Sequence, residues 1–112
     1  MVVSYAAEAV RARELGGLSE ADIARATGVA PGTARAWLAG TRSPTGERAE
    51  RLIELSAIVE RLARVIQPDY IPIWLRKPIP LLDDDKPLDV IAAGHYRRLS
   101  EVIAGLEDPG AA

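Results

Sequence analysis

Apolar residues recur at helical spacing along most of this chain, and the places where that spacing fails divide it into segments. Tyr5, Ala6, Val10 and Leu15 form a loose inward series with Glu8, Arg11, Arg13 and Glu14 outside, which predicts a first helix over Ser4 to Leu15, ended by Gly16-Gly17. Between Leu18 and Gly40 the pattern is of two short helices, with Ile23, Val29, Ala34 and Trp37 as inward positions. From Glu47 to about Ile66 no Gly or Pro intervenes, and Leu52, Leu55, Val59, Leu62 and Ile66 fall on one stripe. Ile58 and Val65 widen that stripe and Ile53 lies off it, so this longest helix serves two neighbours. Favourable four-residue spacings, Glu47/Arg51 and Glu60/Arg64, add support along its surface. Between Pro68 and Pro87 the prolines forbid continuous helix and predict short turns. Tyr70, Ile71, Ile73, Trp74, Leu75, Ile79, Leu81 and Leu82 nevertheless make this stretch too apolar for a solvated linker. Leu88 to Ala93 predicts a short helix closed by Gly94. His95 to Leu106 predicts a last one, with Tyr96, Leu99, Val102, Ile103 and Leu106 on one face.

The turn chemistry between Leu18 and Gly40 is specific. Ser19, with Asp22 three residues on, supplies an acceptor for free amides and an acid near the positive end of a helix. Thr27-Gly28-Val29 provides a residue that tolerates positive φ, Pro31 suits the first turn of the next helix, and Gly40 suits a left-handed cap. Two short helices about such a turn make a helix-turn-helix. The stretch resembles the Xre/Cro-type helix-turn-helix family, whose pattern runs Leu-Ser, Ala, Thr-Gly-Val, then an aromatic and a Gly. Thr41 to Gly46 reads as a loop in which Thr45 caps the long helix.

Composition narrows the possibilities. With 112 residues, 48% of them hydrophobic, the chain suffices for one domain or a small domain with an appended module, and without Phe its core falls to Leu, Ile, Val, Ala and two Trp. The absence of Cys excludes disulfide scaffolds, thiolate catalysis and Cys zinc sites. Met1-Val-Val-Ser-Tyr is unlike a signal peptide and no apolar run approaches the roughly 20 residues of a spanning helix, so a cytoplasmic protein without membrane partners is expected. A net charge of −2 argues against coating nucleic acid by charge alone. The charge is uneven: residues 1–66 hold nine Arg against eight acids, whereas residues 67–112 hold five Arg and Lys against eight acids. Any DNA contact is therefore expected from the first half.

In the second half the series Ile73-Trp74-Leu75, Pro78, Leu81-Leu82, Lys86-Pro87-Leu88-Asp89, Gly94, Tyr96, Val102 and Leu106 is similar to the toxin-binding domain of the Xre/MbcA/ParS antitoxins, which follows a helix-turn-helix in that family. Ile79 and Lys86 stand where the family often has Asn and Gly, and the tail after Leu106 is shorter than is common there. The resemblance implies an all-α fold in which an N-terminal Xre-like helix-turn-helix (1–46) is joined by a long helix (47–66) to a small helical toxin-binding module (67–112) with a short tail. It implies a type II antitoxin, without cofactor, that covers a partner toxin of the RES-domain class, which consumes NAD. Homodimers and hetero-oligomers with the toxin follow from the same resemblance. Trp74, Leu81, Leu82 and Leu88 are expected within or beneath the toxin-binding face, with Arg76 and the tail residues Glu107, Asp108, Pro109 and Gly110 also at the toxin. Apolar groups on short, proline-broken turns present a binding face that loses little entropy on association. A stand-alone helix-turn-helix regulator whose second half only dimerises is the other reading of the same pattern.

For DNA, Thr33 and Arg35 are the residues of the recognition helix able to reach base edges or phosphates, and Arg25, Arg42 and Arg48 are candidates for the backbone. Catalysis is not expected. The lone His95 has no Ser, Asp or Glu at triad spacing, and Asp83-Asp84-Asp85 lacks the Gly and distal Glu of a calcium loop, so it reads as a solvated turn and no metal site is assigned. The small, uncharged Gly110-Ala111-Ala112 end suits engagement by an energy-dependent protease.

Overall fold

Ser19 opens its helix as the spacing to Asp22 requires. Its Oγ accepts from the Asp22 amide at 3.1 Å while its own amide donates to Asp22 Oδ2 at 2.9 Å, a closed capping box. In the computed structural model, which describes residues 5–111, the helices are α1 (Tyr5–Gly16), α2 (Glu20–Thr27), α3 (Pro31–Ala39), α4 (Gly46–Leu62), α5 (Ile71–Arg76), α6 (Pro87–Ala92) and α7 (Tyr96–Glu107). Short 3-10 turns at Pro68–Tyr70, Pro80–Leu82 and Pro109–Ala111 connect and end them. Among the described residues there is no strand, only one isolated antiparallel bridge between Ile79 and Asp85, so the fold is all-α as expected. Ser4, the expected start of α1, and Ala112 lie outside the described residues.

The inward face of α1 differs from the expected one. Ala9, Ala12 and Gly16 are buried, Tyr5 and Val10 are half-buried, and Leu15 is exposed. The cause is close packing on α4: a Cβ at Gly16 would stand 3.0 Å from Val59 Cγ2, so only small side chains fit between the helices and the longer Leu15 turns outward.

The long helix also ends earlier than its apolar stripe suggests. Gln67 precedes Pro68 and is extended, φ −63° and ψ 140°, so the helix unwinds through Ala63–Ile66 before reaching it. Leu52, Leu55, Ile58, Val59 and Leu62 are fully buried, Val65 and Ile66 are half-buried, and Ile53 is exposed as its place off the stripe requires. The surface pairs are not those of the four-residue spacing. Arg51 donates to Glu54 at 2.7 Å and Glu60 accepts from Arg11 of α1 at 3.3 Å. Thr45 occupies the cap position of α4, yet its side chain makes no cap hydrogen bond and lines a groove instead.

One hydrophobic cluster runs from Ala9 to Ile103 through both halves of the chain, and α6 lies directly against α2. Ile71, Trp74, Leu75, Ile79 and Leu82 enter this core from the proline-rich stretch, which explains why so apolar a segment is not solvated. The acidic turn is exposed; Asp83 and Asp84 take positive φ (56° and 65°), a conformation Asp tolerates, and their amides close the turn on Pro80 and Ile79.

Candidate nucleic-acid interface and partner face

The geometry of α3 follows from its ends. Gly28 (φ 77°) and Gly40 (φ 76°) are both left-handed, and Ala30 is extended before Pro31. Ile23, Ala34 and Trp37 are buried and Val29 packs half-buried on the core, which leaves Pro31, Gly32 and Arg35 exposed and Thr33 at the edge. Thr33, Arg42 and Arg48 line one groove with Gly28, Ser43 and Thr45, at the N-terminal end of α3. Among the described residues neither Arg42 nor Arg48 is in an ion pair. Two guanidiniums, hydroxyls and the positive end of a helix thus converge on a surface suited to a phosphate backbone.

The other two candidate cations are engaged. Arg35 donates to Glu20 at 2.8 Å. Arg25 donates through Nε and Nη2 to both oxygens of Asp89 on α6, at 2.6 and 2.9 Å.

Arg76 is exposed, yet its guanidinium is engaged by a neighbouring helix. Its Nε and Nη2 donate to the two oxygens of Asp22 at 2.9 and 2.5 Å, tying α5 to the capping box of α2. Burial pushes the Asp22 carboxyl up, but the Arg76 guanidinium and the amide and hydroxyl of Ser19 outweigh it and hold the pKa below the ordinary value. Glu107 is anchored likewise: Arg61 of α4 donates to it at 3.0 and 2.6 Å and to the Ser100 hydroxyl at 2.7 Å. These hydrogen bonds hold the Glu107 carboxyl below its usual value.

Of the apolar residues expected in the second half, Trp74, Leu82 and Leu88 are buried in the core and Leu81 stands 78% exposed beside Arg98, Glu101 and Val102. Ile73 and Tyr70 are exposed as well, and Lys77 donates to the Tyr70 hydroxyl at 2.7 Å. The large apolar side chains exposed in this half are Tyr70, Ile73, Leu81 and Leu106, and Trp74, Leu82 and Leu88 belong to the core. Asp108, Pro109 and Gly110 are exposed in the terminal turn. Sequence reasoning missed the partners Asp22, Asp89 and Arg61; 46 to 64 positions separate each from its mate, and no local spacing signals such pairs.

A helix-turn-helix merged through one core with a proline-turned helical half defines the class of this protein: an all-α module whose helix-turn-helix is braced by a second helical half. Residues 11–55 match the helix-turn-helix family HTH_3. The chain is 32% identical over 91 residues to the probable mycobacterial cidal antitoxin Rv3188 of Mycobacterium tuberculosis H37Rv, across 81% of this chain and 77% of that one. It is 29% identical over 92 residues to the mycobacterial cidal antitoxin MbcA of M. bovis and M. tuberculosis, across 82% and 81%. A chain in the crystal structure of the M. tuberculosis MbcT–MbcA toxin–antitoxin complex superposes with a TM-score of 0.84 at 28% identity, covering 99% of this chain and all of that one. The chain belongs to the Xre/MbcA-type antitoxin family. No helix among the described residues is long and apolar enough to cross a membrane.

Proposed function

We propose that this protein is the antitoxin of a type II toxin–antitoxin pair whose toxin is of the RES-domain class and consumes NAD. The second half covers the active site of that toxin. The helix-turn-helix binds operator DNA and represses the operon, as a homodimer or as a hetero-oligomer with the toxin, in the cytoplasm. One observation carries the reading: the likeness to a chain from a toxin–antitoxin complex extends over 99% of this chain, including the proline-turned half, rather than stopping at the helix-turn-helix. Physical chemistry supports it. Leu81, Ile73 and Tyr70 are exposed apolar groups on short turns whose backbones are already ordered, so a partner gains apolar area at little entropic cost. Arg42 and Arg48 lie in the half that carries the positive excess.

Co-expression with the product of the adjacent gene tests the proposal. The chain is expected to co-purify with that product, to rescue growth and to keep cellular NAD from falling; no association at micromolar concentration overturns the inhibitor role. Leu81→Asp is expected to weaken the complex while leaving the fold intact, since Leu81 contributes little to the core. Removing the residues after Leu106 is expected to weaken inhibition, and full neutralisation by the truncated chain would remove the tail's blocking role. A mobility shift with the upstream DNA tests the regulatory half, which falls if no specific shift occurs with or without toxin.

A further inference from the structure

We propose that Asp89 is an internal competitor for the DNA backbone, occupying the guanidinium of Arg25 that would otherwise hold a phosphate. The proposal rests on the operator-binding reading above and concerns the regulation of that surface. Helix α2 is covered almost all round, by the first half and by α6. Within it only Ala21 and Arg25 are exposed, and Gly28 at its cap continues the same line at helical spacing. That ridge runs into the groove where Thr33, Arg42 and Arg48 converge. The first helix of a helix-turn-helix crosses the nucleic-acid backbone, so Arg25 is the cation that this ridge offers to a phosphate.

Asp89 meets Arg25 in the geometry a phosphate would use. Nε and Nη2 point in parallel at two oxygens, 2.6 and 2.9 Å away. Neither partner is sealed in: the side chains are 50% and 42% exposed, so a phosphate reaches the guanidinium by rotation of side chains alone. An exposed pair of this kind is held weakly enough that loss of the Asp89 charge, or a partner that draws Asp89 away, frees the guanidinium for a phosphate. Among the described residues Arg42 and Arg48 have no such carboxylate. The surface thus combines cations that are always available with one whose availability is set by α6, an element of the half assigned to partner binding. A partner that engages Asp89 or shifts α6 thereby alters how many phosphates the first half can neutralise.

Fluorescence anisotropy with the duplex upstream of the gene, titrated with salt, provides the test. Asp89→Asn is expected to tighten binding about threefold and to steepen the slope of log K against log salt by about 0.9, the value of one added phosphate contact. Arg25→Gln is expected to leave the wild-type slope unchanged, and Asp89→Asn in the Arg25→Gln background to leave it unchanged too, which separates Arg25 from the general effect of removing a negative charge. Asp89→Ser, which retains a polar group in the first turn of α6, is the second variant should the amide disturb folding; it is expected to steepen the slope equally. An Asp89→Asn slope equal to that of the wild type overturns the proposal alone, as does a full-unit loss of slope in Arg25→Gln. No binding by wild type or variants at the lowest salt overturns the operator-binding reading and this proposal with it.

Discussion

Replacing Arg76 with Met keeps most of the side-chain stem and removes the guanidinium, leaving the Asp22 carboxylate with only Ser19 as a partner. Asp22 is 7% exposed, while the Arg76 side chain is 48% exposed. Breaking a fully buried pair costs about 3–5 kcal/mol and breaking an exposed one about 0–1 kcal/mol. Water reaches the guanidinium side of this pair but barely reaches the carboxylate, so the expected loss is about 1–2 kcal/mol. Urea unfolding followed by far-ultraviolet circular dichroism measures it, and at a slope of about 1–1.5 kcal/mol/M the midpoint falls by roughly 1 M. The difference depends on pH with a definite sign. The folded Asp22 carboxyl lies below its ordinary value of 3.8, so its stabilising contribution is fully present above that value and is lost as pH falls through the lower, folded value. The gap between wild type and variant is therefore constant near neutrality and narrows in acid. Coupling between Asp22→Asn and Arg76→Met in a double-mutant cycle accounts for most of the loss. A variant within about 0.3 kcal/mol of wild type, or a gap that persists unchanged in strong acid, would refute the assignment of Arg76 as a brace.

Three further outcomes follow from individual residues. The Ser56 hydroxyl is 1% exposed and has no hydrogen-bond partner among the described residues, so Ser56→Ala is expected to raise stability by about 0.5–1.5 kcal/mol, and a destabilised variant would show that the hydroxyl is satisfied. Gly28 has φ 77° with nothing within 4 Å of an added Cβ, so Gly28→Ala is expected to cost about 1–2 kcal/mol from backbone conformation alone, and Gly28→Asn less; equal costs in thermal melts would point to a contact instead. Arg42→Gln with Arg48→Gln is expected to flatten the salt dependence of DNA binding by about 1.8 units while changing unfolding free energy by less than about 0.5 kcal/mol. An unchanged slope would remove both residues from the interface.

Within the helix-turn-helix itself, local chemistry was enough. The capping box at Ser19, the left-handed Gly28 and Gly40, Pro31 at the start of α3 and the burial of Ile23, Ala34 and Trp37 are each decided within a few residues, so spacing alone announces them. The stripe on α4 was legible for the same reason, as was Ile53 outside it. Where two elements meet, local patterns failed. The small-residue face of α1 is set by how closely Val59 approaches Gly16, a distance that no periodicity within α1 contains.

The candidate surfaces divide in the same manner. Residue types and the turn pattern alone single out Arg25, Thr33, Arg35, Arg42 and Arg48 as candidates on a helix-turn-helix surface, because exposure on a short helix and its flanking loop follows from which positions are apolar. Which arginines remain available was decided only when α5 and α6 packed on α2, placing Asp89 against Arg25 and Arg76 against Asp22. Likewise the alternation within Leu81-Leu82, one exposed and one buried, is fixed by which side of the 3-10 turn meets the common core. Sequence determines the periodicities, caps and breaks, whose energies act over a turn or two. Ion pairs and exposure depend on distances between elements remote along the chain, and those exist only once the common core has closed.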